Sequence, residues 1–247
     1  MTDIRLLALD MDGTTLTNDN DIADETKKWI HKAARAGVTV MFATGRGLEN
    51  VEPYRRDLRL ESPMVLVNGG EVWKSPGYLL KRFYLDNEDI QNMQRIASES
   101  GAWYWGYLED RIVRKNDWRD EFLKSRWIKF GIQLDDLETL REITEEIKSW
   151  GRIEVTSSAA NNIELSSKGV SKESGVKLVC KELGIQMRDV MAIGDSDNDY
   201  CLLKAAGLGV AMGNANDRIK AIADVSTDTN ERSGVAKAIQ RHIFGMA

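Results

Sequence analysis

The sequence predicts an α/β protein built on a parallel sheet, and three observations carry that prediction. Ile4 to Leu9 is an almost unbroken apolar run, the pattern of a strand buried on both faces. Strand-like and helix-like segments alternate along the first third of the chain and again along the last third. Short segments rich in Asp, Thr, Gly and Lys stand at the ends of predicted strands, the edge at which such sheets bind ligands.

In chain order, the expected elements are a strand from Ile4 to Asp10, a helix from Ala23 to Ala36, a strand from Val38 to Ala43, a helix from Glu49 to Leu60 and a strand from Met64 to Asn68. Gly37 caps the first helix, and Thr39, Val40, Met41 and Phe42 suit a central strand. After Asn68-Gly69-Gly70 the texture changes: Glu71 to Trp73 and Leu79 to Tyr84 flank Ser75-Pro76-Gly77 as a hairpin would. From Asn87 to Ser157 the pattern is a helix, two or three short aromatic strands, a helix from Asp136 to Trp150 and a strand from Arg152 to Ser157. The first rhythm then resumes with a helix Lys172 to Leu183, a strand Val190 to Ile193, a helix Asn198 to Ala206, a strand Leu208 to Ala211 and a closing helix Val235 to His242. The sheet-forming domain is therefore discontinuous, residues 1–83 and 164–247, with a smaller α+β insert over 84–163. No internal repeat or low-complexity segment interrupts it.

With 247 residues and 42% hydrophobic content, the chain can bury a core of ordinary size, and no apolar run is long enough to span a bilayer. Its first residues pass directly into a buried-type strand without a leader pattern, so the cytosol is the expected compartment. Cys180 and Cys201 lack metal-ligand spacing and read as buried free thiols within helices. His31 and His242 read as incidental surface residues. The formal charge of -5, with no cluster of Lys and Arg, argues for a small-molecule partner rather than nucleic acid or a membrane. No oligomeric state is implied.

The polar segments make a phosphoryl-transfer site when taken together. A carboxylate at a strand end can attack phosphorus, and Asp10 is the candidate nucleophile. Asp12, two residues on and expected on the same side of an extended backbone, is placed to give a proton to the leaving alkoxide and take one from water. Two carboxylates meeting a phosphate dianion need a cation, and an oxygen-only set suits Mg2+, held by an Asp10 oxygen, the Asp12 carbonyl and Asp195. Lys172, just inside a helix whose expected N-cap is Ser171, adds a second positive charge. Thr44 offers a hydroxyl, and Met11 and Gly45 offer N–H groups, to the phosphoryl oxygens. Asn198 is in reach of phosphate or metal, while Asp199 orients Lys172 or a metal-bound water. Singly, an Asp-x-Asp-Gly turn, a Thr-Gly strand end or a helical Lys is ordinary; their order along one sheet edge carries the weight.

Other readings fail on the letters. A calcium loop starting at Asp195 meets Tyr200 where Gly is needed, and one starting at Asp10 fails at Thr14 and Thr15. A cysteine phosphatase needs Arg six residues after its Cys, where Gln186 and Gly207 stand. A Walker loop from Gly169 meets Ser174, and a dinucleotide fingerprint from Gly207 meets Met212, where each needs Gly.

Asp10-Met11-Asp12-Gly13-Thr14, Thr44-Gly45-Arg46, Gly169-Val170-Ser171-Lys172 and Gly194-Asp195-Ser196-Asp197-Asn198-Asp199 resemble, in order, the four motifs of the haloacid dehalogenase (HAD) superfamily. Asn68-Gly69, Met212-Gly213-Asn214-Ala215 and Ser233-Gly234-Val235-Ala236 also resemble core segments of its Cof-type subfamily IIB, in which an α/β cap is inserted between the second and third motifs. The resemblance covers nearly the whole chain. It implies a Rossmann-like core with a C2-type cap as specificity element, and a Mg2+-dependent phosphatase acting on a sugar phosphate or phosphorylated cofactor through an aspartyl-phosphate. A sugar phosphomutase of similar architecture, or a protein that binds phosphometabolites without turnover, are the alternatives. Thr15, Gly70 and Glu173 depart from the usual Leu, Ala and Gly; Glu173 either weakens phosphate attraction or favours its helix N-terminus. In the insert, Trp103, Tyr104, Trp105, Trp118 and Trp127 read mainly as core, with at least one left to face a ligand. Arg114, Lys115, Arg126 and Lys129 are candidates to contact an anionic substrate, but read mainly as a solvated face.

Overall fold

The computed structural model describes residues 4–246. Residues 1–3, the first three of the expected core and of the segment read as leaderless, and residue 247, the last of that core, lie outside the described residues.

The central sheet is parallel throughout, in the order β13-β12-β11-β1-β2. Its strands are β1 Leu6–Leu9, β2 Thr39–Phe42, β11 Val190–Gly194, β12 Leu208–Ala211 and β13 Val225–Ser226. Leu6, Leu7, Ala8 and Leu9 are all buried because β1 lies between β11 and β2 with helices over both faces. The helices of this layer are α1 Asp24–Arg35, α2 Leu48–Asp57, α5 Lys172–Leu183, α6 Tyr200–Ala205, α7 Asp217–Ile222 and α8 Gly234–His242. In α1, Thr26, Trp29, Ile30 and Ala33 form one buried stripe at helical spacing. Ser171 caps α5 by accepting from the Ser174 N–H, and the Ser174 hydroxyl side answers with the reciprocal bond, so the expected helix start holds.

The strand expected at Met64 to Asn68 is shorter, β3 Met64–Leu66, and pairs mainly outside the parallel sheet. It touches β2 through one parallel bridge, Ala43 with Val65, and otherwise forms an antiparallel meander with β4 Glu71–Ser75 and β5 Tyr78–Arg82. The hairpin buries Val72 in the same apolar cluster as the parallel sheet.

A second sheet, antiparallel, has the order β7-β6-β8-β10-β9. It comprises β6 Trp103–Leu108, β7 Ile112–Arg114, β8 Trp127–Gln133, β9 Ile153–Thr156 and β10 Asn162–Ser167, with α3 Asn87–Glu99 and α4 Leu137–Ser149 on one face. Ile90, Met93, Ile143, Ile147, Phe130 and Ile132 belong to an apolar cluster separate from the first. The sequence pattern missed β10, and the division expected after residue 163 falls inside it: the chain remains in this sheet to Ser167. Also missed were α7, six residues long, and β13, two. Asn198 lies in a 3-10 turn, Asp197–Asp199, that precedes α6 rather than in the helix itself.

Two side-chain expectations change. Cys180 is buried, but Cys201 is exposed, so only one thiol is shielded. His31 is half-buried against the Leu58 carbonyl, and His242 is half-buried as well. No helix among the described residues is long and apolar enough to cross a membrane.

Candidate active site

The ends of β1 and β11, together with the first turn of α5, converge on one acidic cluster. Asp10 ends β1, is almost fully buried, and its Oδ1 accepts from Lys172 Nζ at 2.6 Å. The same ammonium donates to Asp199 Oδ1 at 2.7 Å. The other Asp199 oxygen accepts from the backbone N–H groups of Asp195 and Ser196, at 3.0 and 3.2 Å, so Asp199 is held from both sides. Asp195 Oδ1 in turn accepts from the Thr14 hydroxyl at 2.9 Å.

Two carboxylates therefore hold one ammonium, and a third, Asp195, lies beside them. Burial drives the Asp10 carboxyl well above its ordinary range; Lys172 opposes this and Asp199 and Asp195 reinforce it. Burial and the Asp199 charge likewise push Asp195 up to about 6. For Lys172, burial favours the neutral amine, but Asp10 and Asp199 reverse that and hold the proton more firmly than usual. The cluster carries more negative charge than Lys172 neutralises. Carboxylate oxygens of Asp10, Asp195 and Asp199 lie within 4.8 Å of one another, an all-oxygen set that fits a hard divalent cation.

The backbone between Asp10 and Asp12 corrects one expectation. Residues 11–15 form a tight turn, with Gly13 at φ +69°, so Asp12 is not two places along an extended strand. A Cβ on Gly13 would stand 2.5 Å from Asp195 Oδ2, so glycine is required there for space as well as for conformation. Asp12 emerges exposed and is bound by Arg46: Nη2 to Oδ1 at 2.6 Å and Nε to Oδ2 at 2.9 Å. It still borders the same cavity as Asp10.

That cavity, about 160 Å3, lies between the ends of the parallel strands and the face of the antiparallel sheet opposite α3 and α4. Gly45 and Asn198 line it, as expected. Thr44 is fully buried beneath, its hydroxyl oxygen accepting from the Arg46 N–H at 3.2 Å, and Met11 is buried at the start of the turn. From the other side come Trp105, Tyr107, Lys129 and Glu164. Lys129 is buried and donates to Glu164 Oε1 at 2.8 Å and to the Gly45 carbonyl at 2.9 Å. The solvated-face reading is thus wrong for Lys129, while Arg126 is exposed and Lys115 donates to the Ala102 carbonyl. Asn68 Nδ2 donates to Glu164 Oε2 at 2.6 Å. Burial raises the Glu164 carboxyl, but Lys129 and Asn68 outweigh this and hold it below its ordinary value. Trp127 and Tyr104 pack in the second cluster as core, whereas Trp105 faces the cavity.

The site reading missed Thr14, Tyr107, Glu164 and the Asn214 side chain, which donates to the Gly13 carbonyl at 2.7 Å. Thr14 and Asn214 stood inside recognised segments; Tyr107 and Glu164 carried no local signal. Glu173 pairs with Lys177 along α5, as a surface pair in that helix, and makes no bond to Lys172.

A family model described as haloacid dehalogenase-like hydrolase matches residues 7–127 and 112–239. The chain belongs to the haloacid dehalogenase-like hydrolases. It is 39% identical over 246 residues to a 5-amino-6-(5-phospho-D-ribitylamino)uracil phosphatase of Bacillus subtilis, covering 98% of this chain and 97% of that one. A phosphoglycolate phosphatase of Methanopyrus kandleri is 32% identical, with 96% of each chain covered. Among solved structures, a haloacid dehalogenase-like hydrolase from B. subtilis superposes with a TM-score of 0.88 at 25% identity, over 97% of this chain and 100% of that one. A HAD subclass IIB sugar phosphatase shares the fold at TM-score 0.85 and 23% identity, over 98% and 100%. Both of these relatives, at 39% and 32% identity, are phosphatases.

Proposed function

We propose that this hydrolase is a Mg2+-dependent phosphomonoesterase acting in the cytosol on a small phosphorylated metabolite, with Asp10 as nucleophile. The observation that carries this reading is the Lys172 ammonium lodged between Asp10 and Asp199, with Asp195 alongside, beneath a cavity that Asp10 lines. Asp10 and Asp195, with the Asp12 carbonyl, would hold Mg2+, which when bound offsets the excess negative charge and draws the phosphate in. Asp199, with both oxygens engaged, acts by orienting Lys172 and the Asp195 backbone.

In the first step an Asp10 oxygen attacks phosphorus, a P–O bond to Asp10 forms and the P–O bond to the leaving group breaks. Asp12 gives its proton to the departing oxygen, and then takes one from the water that cleaves the aspartyl-phosphate. Arg46 binds the Asp12 carboxyl here, so proton donation in the first step requires Asp12 to turn from Arg46 toward the cavity. Lys172, Thr44, Asn198 and the N–H groups of Met11 and Gly45 bind the phosphoryl oxygens.

We assign the parallel sheet and its helices with the β3–β5 meander, residues 4–83 and the described residues after β10, as the catalytic core, and the second sheet with α3 and α4 as the cap. Phosphate release from pyridoxal phosphate, flavin mononucleotide, sugar phosphates and phosphoglycolate, with Mg2+ and with EDTA, tests the reading. Mg2+-dependent release that disappears in Asp10→Asn is the expected result. Release by that variant at the parent rate would sink the mechanism.

A further inference from the structure

The ceiling of the cavity has a feature that the phosphate chemistry does not use. On β6 and β8, Trp105 pairs with Gly131 and Tyr107 with Lys129, so these four share the sheet face toward the core. A Cβ at Gly131 would overlap the Trp105 indole, so the ring lies flat against the Gly131 backbone and only glycine permits it. With one face of the indole on the strand, and the residue half-exposed and lining the cavity, the other face is offered to a ligand. Tyr107 differs, because the Lys129 ammonium already stands 5.0 Å from its ring centre. Among the described residues, no aromatic ring or cation pairs with Trp105.

The polar groups beside it are engaged elsewhere. Lys129 is shared between Gly45 and Glu164, and the two Glu164 oxygens accept from Lys129 and Asn68. No buried side-chain nitrogen or oxygen among the described residues lacks a partner. Arg46, Ser158 and Ser196 also line the cavity, but beside Trp105 the hydroxyls of a polyol would compete with bonds that Lys129 and Glu164 already make. A flat ring needs only a face to stack on.

Resting on the phosphatase reading above, we propose that Trp105 is a specificity-determining residue and that it selects phosphomonoesters whose leaving group carries a planar ring, over those whose leaving group is a polyol or sugar.

The test compares kcat/KM for pyridoxal 5'-phosphate, glucose 6-phosphate and acetyl phosphate, the last having no ring, in the parent, Trp105→Ala and Trp105→Phe. The parent is expected to favour the pyridoxal ester over the sugar ester. In Trp105→Ala the ratio of pyridoxal to acetyl phosphate kcat/KM should fall roughly fivefold to tenfold, mainly through KM, and Trp105→Phe should restore most of it. A parent that prefers glucose 6-phosphate, or a ratio unmoved in Trp105→Ala, would overturn the assignment while leaving the phosphatase reading intact. No Mg2+-dependent release from any of the three, acetyl phosphate included, would instead count against the phosphatase reading, and with it this one.

Discussion

Lys172 holds the acidic cluster together. It is fully buried and bonds two carboxylates, so its removal would leave Asp10 and Asp199 facing each other without the cation between them. Breaking a buried ion pair from one side costs about 3–5 kcal/mol. In Mg2+-free buffer, Lys172→Met should therefore unfold at lower urea than the parent. Its deficit should be larger at pH 8 than at pH 5, because protonation relieves the Asp10 carboxylate, which burial already drives well above its ordinary range. Equal deficits at both pH values would show that the loss is one of packing alone. The letters at this scale were informative: Asp10, Asp195, Asp199 and Lys172 were named from strand ends and a helix cap, and the structure brings them together. The place of the Asp12 carboxyl was not legible, because it depends on the turn at Gly13 and on Arg46, thirty-four residues further along the chain.

At the scale of elements, β8 and β10 carry the contact between cap and core. Lys129 on β8 reaches the Gly45 carbonyl after β2, and Glu164 on β10 accepts from Asn68 after β3. Lys129→Met should destabilise the protein by about 3 kcal/mol, since it leaves a buried carboxylate with one partner fewer. The double variant Lys129→Met/Glu164→Gln should lose less than the sum of the single variants, as measured by urea unfolding; additivity would mean that the two groups act independently. The Glu164 carboxyl is held below its ordinary value, so its stabilising contribution is present above pH 4.5 and fades as the pH falls through the lower, folded-state value. Elements with a cap and a full helical period were legible: Asp136 starts α4 and Ser171 starts α5 where expected. Elements too short for a period were not. In β10, Ile163 and Leu165 point into the second cluster and Glu164 and Ser166 lie buried on the opposite face, but two apolar residues among six, flanked by Asn and Ser, gave too weak an alternation to read as a strand.

For the molecule as a whole, a divalent cation held by the acidic cluster would couple metal binding to stability. A cation that binds the folded chain alone stabilises it by about 2.7 kcal/mol at one hundred times its Kd. Mg2+ should accordingly raise the melting temperature, and Asp195→Asn should remove most of the rise. Asp195 moves from 3.8 to about 6 on folding, so between these values the folded chain keeps a proton that the unfolded chain has released. Stability from this group thus falls as pH rises from 3.8 to about 6 without metal, and the Mg2+-induced rise should grow across that interval and level off above it. A thermal shift that is the same at pH 5 and pH 7.5 would contradict this linkage.

What the sequence determined by itself was whatever is encoded locally: the buried run of β1, the caps of α4 and α5, and the polar segments that end successive parallel strands. These depend on neighbours a few residues away, so their residue types and spacing suffice to show them. Tertiary structure alone decided that β3 joins a meander, that β10 extends the second sheet, that Asp12 pairs with Arg46, and that Trp105 lies on Gly131 above the cavity. Each of these depends on groups brought together across the chain by sheet pairing and by the approach of one sheet to another, contacts for which no local pattern carries a signal.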